Sequence, residues 1–66
     1  MENLIKTELI EDFLKEKEWS KTKFCRQRKI SYKTFQKIMS NDYNFDVRAL
    51  FRVCKIIGVE VYKIFK

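Results

Sequence analysis

The sequence predicts an all-α fold, with four helices followed by a short fifth at the C-terminal end. Three observations predict it. The 66 residues include no proline and a single glycine, so little in the chain interrupts a helix. Apolar residues recur at three- and four-residue spacing through most of the length. Ser20, Ser31 and Asp46 each precede such a run, where a side-chain oxygen can accept from the free backbone N–H groups of a first helical turn.

The first helix is expected over 4–17. Ile5, Leu9, Ile10, Phe13 and Leu14 form its apolar stripe, and acidic residues crowd its other face and suit the N-terminal end of a helix dipole. Trp19 follows as an anchor where the chain leaves it. The second helix is expected over 21–28, with Phe24 and Cys25 inward. Lys29 and Ile30 lead to the Ser31 cap and a third helix over 32–40, with Phe35, Ile38 and Met39 inward. Residues 41–45, Asn-Asp-Tyr-Asn-Phe, make a polar connection rich in turn formers. The fourth helix is expected over 47–57, with Val47, Leu50, Phe51, Val53, Cys54 and Ile57 forming a broad apolar face. Gly58 stands where a helix ends on a left-handed residue. In the tail, β-branched residues favour a strand. Val61, Ile64 and Phe65, at helical spacing, favour a last helical turn, which is the expectation.

The length suits one domain over residues 1–66, and a chain this short buries only about 60% of its unfolded surface. With 45% apolar residues and ten aromatic ones, it has enough for one core. There is no apolar run of membrane-spanning length and no basic start followed by an apolar run, so the expected location is the cytoplasm. Cys25 and Cys54 lack a histidine or further cysteines to complete a zinc site, and they read as small buried thiols. Histidine is absent, no glycine-rich phosphate loop exists and most carboxylates share one N-terminal stretch, which argues against an enzyme and against any cofactor.

The net charge of +6 is unevenly spread. Residues 1–16 hold two lysines against five acids, residues 17–37 eight cations against Glu18, and residues 38–66 five cations against three acids. The first stretch therefore nets −3, the second +7 and the third +2. A basic block of this kind is either the electrostatic footprint of a polyanion partner or a solvated face that happens to be basic, and charge alone weighs the two about equally. It coincides with two short helices, each with its own serine cap, joined by a tight turn. That is how a helix-turn-helix over 20–41 is built, its second helix presenting a polar, basic outer face to a major groove.

At these residues the chain resembles the lambda-repressor-like (Cro/XRE-type) helix-turn-helix family. The resemblance runs through Ser20-Lys21-Thr22-Lys23-Phe24-Cys25, Arg28-Lys29-Ile30-Ser31, Phe35 and Ile38, then Leu50-Phe51-Arg52-Val53-Cys54, Ile57-Gly58-Val59 and Ile64-Phe65. It covers about residues 10–65. Both cysteines match positions where the family has alanine at close helix contacts. Lys29 matches the family's turn glycine and is expected to adopt a positive φ at roughly 1 kcal/mol. Asn41 also replaces a glycine, and asparagine tolerates that region. Arg28 replaces an apolar residue and is expected to reach outward. Leu14 and Met39 stand where many members carry an arginine–glutamate pair.

The resemblance implies a bacterial or phage transcriptional regulator, a repressor by expectation, that binds double-stranded operator DNA in the nucleoid, as a dimer on palindromic sites. By position in the family pattern, Tyr32, Lys33, Thr34, Gln36 and Lys37 face the bases. Ser20, Lys21, Arg28, Lys29, Ser31, Ser40, Asn41, Tyr43 and Asn44 meet phosphates, and Val61, Tyr62 and Phe65 form a dimer interface. Alternatives stay open. Tyr32 could pack over the core rim, Lys33 and Lys37 could simply be solvated, and Tyr43 and Phe45 could be lids on the core. The rival function is a protein-interaction module on the same fold: an antitoxin, antirepressor or adaptor.

Overall fold

Three of the four helices begin on the caps visible in the sequence. Ser20 Oγ accepts from the Lys23 N–H at 3.1 Å, Ser31 Oγ from the Thr34 N–H at 3.0 Å, and Asp46 Oδ1 from the Arg48 N–H at 2.9 Å. The computed structural model describes residues 4–66. In order these are α1 (Thr7–Lys17), α2 (Lys21–Arg26), α3 (Tyr32–Met39), α4 (Val47–Ile57) and a 3-10 turn at Val61–Lys63.

Helix α1 has no side-chain cap and starts at Thr7, later than the periodicity predicts. The reason lies at the far end of the chain. Ile5 pairs with Phe65 in an isolated antiparallel bridge. The Lys6 N–H donates to the Ile64 carbonyl at 2.7 Å, and the Lys66 N–H donates to the Leu4 carbonyl at 2.8 Å. These bonds hold residues 4 and 5 against the tail, and a tight turn at Lys6, closed by the Thr7 N–H on the Ile5 carbonyl at 2.9 Å, leads into the helix. The tail thus expresses both of its propensities, a helical turn first and strand-like pairing after it.

All four helices end alike. A residue in the left-handed region follows each: Glu18 (φ 56°), Lys29 (55°), Asn41 (58°) and Gly58 (75°). One residue further on, a backbone N–H turns back to a carbonyl five positions earlier: Trp19 to Leu14, Ile30 to Cys25, Asp42 to Lys37 and Val59 to Cys54, at 2.9–3.2 Å. This closure satisfies carbonyls that a helix end leaves free. The positive φ expected of Lys29 is present. Glu18, which gave no signal in the sequence, does the same work. Helix α2 stops at Arg26, short of residue 28, because residues 27–29 are needed for this closure.

The core gathers Phe24, Phe35, Ile5, Ile10, Ile38, Leu50, Val53 and Ile64, all fully buried. Leu14 lies in the same cluster, and Met39 packs against it. A run of rings ties α1, α2 and α3 together. Trp19 meets Phe13 edge-on at 5.4 Å, Phe13 meets Phe24 at 5.9 Å, and Phe24 meets Phe35 at 5.3 Å. Ring pairs of this kind contribute about 0.5–1.5 kcal/mol beyond area burial. Lys23 Nζ sits 5.1 Å from the Trp19 ring. Cys25 and Cys54 are free and buried, and burial pushes both thiols up, away from the reactive thiolate.

Helix α4 departs from its expected face. Val47 and Phe51 are exposed, at 53% and 44%, while Ala49 is buried. The inward stripe centres on Leu50, Val53 and Cys54. The small side chain of Ala49 lets the helix approach its neighbours on that side, and this phase turns Val47 and Phe51 outward. Among the described residues, no helix is long and apolar enough to cross a membrane.

The helix endings generate a test. A non-glycine residue in the left-handed region costs about 1–2 kcal/mol, and glycine gives back part of that through unfolded-state entropy. Glu18→Gly and Lys29→Gly are each expected to stabilise the fold by about 0.5–1 kcal/mol, readable as a higher thermal midpoint. A lowered midpoint in both would contradict these helix endings.

Candidate nucleic-acid interface

Helices α2 and α3 carry the expected interface, and the Phe24–Phe35 contact docks one on the other from beneath. Ser31 closes its own cap tightly. Its hydroxyl also donates to Thr34 Oγ1 at 2.8 Å, so the first turn of α3 is bonded at both atoms. Above this base Lys33 and Gln36 stand exposed, with Tyr32 at 43% exposure. The Tyr32 ring leans on Phe35, with centroids 6.3 Å apart, so it is part rim and part surface.

The structure brings some expected residues together and separates others. Lys21, Gln36 and Ser40 line one depression of about 360 Å³ between α2 and α3. Glu11 of α1 also lines it, placing a carboxylate there that the sequence reading left out of the interface. Ser20, Lys21, Ser31, Ser40 and Asn44 are exposed. Arg28 and Lys29, expected together on phosphate, line different depressions. Arg28 sits with Trp19 and Lys55, whereas Lys29 sits with Arg48 and Arg52. Thr34 is half-buried and lines the latter depression, turned toward α4.

Lys37, Asn41 and Tyr43, three of the expected contact residues, make bonds within the protein. Lys37, expected to face bases, is half-buried and donates from Nζ to the Asn44 carbonyl at 3.1 Å. It thereby ties the last turn of α3 to the connection that follows. Asn41, expected on phosphate, is only 8% exposed. Its Oδ1 accepts from the Ile5 N–H at 2.8 Å and from the Tyr43 hydroxyl at 3.0 Å. The Tyr43 oxygen in turn accepts from the Leu4 N–H at 2.8 Å. The phosphate role of Asn41 is corrected on this ground, since its side chain is turned inward and shielded from the solvent a phosphate would occupy. Tyr43 is half-buried and, with Phe45, packs against the core, as the lid reading has it.

Sequence reasoning missed Arg48 and Arg52. They sit four residues apart on the outer side of α4, a spacing that places them on one helix face. That spacing was the available signal. Arg48 holds Asp46 through Nε at 3.1 Å and through a terminal nitrogen at 2.8 Å. The side-chain bond from Arg48, then its backbone bond, lower the Asp46 pKa to about 2. Among the described residues, no group of three histidine, cysteine, aspartate or glutamate side chains could hold a metal ion.

Compared with family models, curated proteins and solved structures, the chain matches none.

Two tests follow from the geometry. At a left-handed position glycine is the clean side-chain deletion, so Asn41→Gly isolates the carbonyl. It strands the buried Ile5 N–H, and the expected loss is about 1–3 kcal/mol in denaturant unfolding. An unchanged midpoint would mean that the carbonyl is not holding the N-terminal segment. Because the folded pKa of Asp46 is depressed from 3.8, its pairing contributes above about pH 4 and is lost as pH falls toward 2. A carboxyl-detected NMR titration should place its midpoint near 2, and an ordinary carboxylate midpoint would refute the Arg48 contact.

Proposed function

We propose that this protein is a sequence-specific double-stranded DNA-binding regulator of the lambda-repressor-like type, with a repressor as the expected sense of its action. The observation that carries the reading is the pair of serine-capped helices α2 and α3, locked by Phe24 and Phe35, with the polar face of α3 left outside. Such a helix fits a B-DNA major groove. In this reading Lys33, Gln36 and the exposed edge of Tyr32 meet bases, and Lys33 donates to guanine acceptors. Ser20, Lys21 and Ser40 meet the backbone on either side.

The refined assignment drops Asn41 and Tyr43 from the phosphate contacts and Thr34 from the base contacts, and gives Lys37 a structural duty first. Its remaining ammonium hydrogens can still reach a phosphate while Nζ holds Asn44. One such unit touches little DNA, so the active form is proposed to be a homodimer. Tyr62, 69% exposed, is the most available of the three expected interface residues. Phe65 is 38% exposed with its backbone paired with Ile5, and Val61 packs against the core.

The test is duplex binding as a function of salt. With about four to six phosphates neutralised per protomer, log K should fall against log salt with a slope of about −4 to −5 for each protomer bound. Lys33→Ala should relax base preference at one position, and Lys21→Ala should weaken all duplexes alike. Absence of any shift with random duplexes at low salt would remove the DNA reading and favour a protein partner.

A further inference from the structure

A basin of about 310 Å³ opens between the α2–α3 turn and the first half of α4. Lys29, Arg48 and Arg52 line it, so three cations converge from two separate parts of the chain. The other depressions described above carry at most two. Ile30 and Ala49, both buried, lie beneath, and Ser31 and Thr34 supply hydroxyls at the edge. The Ser31 proton is used on Thr34 Oγ1, which leaves the Thr34 hydroxyl as a donor.

The one carboxylate present does not cancel this charge. Asp46 accepts the Arg48 backbone N–H at Oδ1 and the Arg48 guanidinium at both oxygens. Among the described residues the hydrogen bonds to its carboxylate all come from one arginine, Arg48, and the charge of Arg52 acts on it only at a distance. Three cations against one carboxylate leave two positive charges, and among the described residues neither Lys29 nor Arg52 is in an ion pair. A concave, positively lined surface focuses its field on a small anion. Arginine forks suit the tetrahedral oxygens of a phosphate, and the hydroxyl of Thr34 adds a donor of matching reach.

We propose that this basin binds a phosphate group, held by Arg52, Lys29 and the outer guanidinium edge of Arg48. Its nearest source is a DNA backbone phosphate beside the site entered by α3, an assignment that rests on the DNA-binding reading. A free phosphate compound offers the same chemistry. The basin would extend the protein's grip on the duplex from α3 to α4, without reading sequence.

The experiment has two arms, run on the full chain and on Arg52→Gln and Arg48→Gln/Arg52→Gln, with circular dichroism confirming the fold of each. In the first arm inorganic phosphate is titrated at constant ionic strength, with chloride as control, while backbone amide resonances are followed. Phosphate should shift the amides of Lys29, Thr34 and Arg52 in the parent and leave them unmoved in the double variant. In the second arm the salt slope of duplex binding should become shallower by about 1 for the single variant and about 2 for the double, equally for specific and random duplexes. A phosphate response with unchanged salt slopes keeps the site and assigns it to a free phosphate compound. If the parent binds no duplex at all, the DNA reading falls, and the first arm alone decides the basin. Parent amides indifferent to phosphate, together with unchanged slopes in a parent that does bind DNA, overturn the proposal and leave the DNA reading standing.

Discussion

The carbonyl oxygen of the Asn41 side chain sits where three parts of the chain meet. It accepts a backbone N–H from Ile5 and the hydroxyl of Tyr43, while its own backbone closes the end of α3. A buried amide costs free energy unless it is bonded, and here the bonds are made to groups that would otherwise be stranded themselves. The extended segment before α1 has few other polar partners. Its three successive N–H groups go to Tyr43, Asn41 and Ile64. Ile5 is thereby pressed into the core, and the position of α1 relative to α3 follows from that placement.

The same residue shows how local and distant demands coincide. Asn41 must adopt a left-handed backbone to end α3, and asparagine does so more cheaply than most residues. Its side chain must also reach across the molecule. Glycine would serve the first demand better and could not serve the second. Lys29 and Glu18 illustrate the opposite case, where a left-handed ending is imposed on residues with no special aptitude for it. The aromatic packing of Phe13, Trp19, Phe24 and Phe35 supplies the stability that offsets those endings.

What could be read from the sequence was mostly what is decided within four residues. The caps at Ser20, Ser31 and Asp46 and the span of α4 follow from side chains acting on their own backbone neighbourhood. The start of α1 could not be read, because its cause lies in Ile64 and Lys66. The inward turn of Asn41 depends on a partner 36 residues away. The rotation of α4 that exposes Phe51 is settled by how closely Ala49 lets it approach, which apolar spacing does not encode. Charge counted along the chain pointed to residues 17–37 and overlooked α4, because Arg48 and Arg52 join Lys29 only after folding. Of the expected site, Lys33, Gln36, Lys21 and Ser40 were legible as polar surface. The tethering of Lys37 to Asn44 was not.

The bridge between Ile5 and Phe65 makes the backbone almost a ring, with the amide of Lys66 bonded to the carbonyl of Leu4. The order in which the helices are strung is then partly a formality. A short flexible splice from Lys66 to Leu4 would cost little closure entropy, because the two residues it joins are already side by side. New ends could be opened at an exposed turn such as the one after α2, and the helices would keep their neighbours.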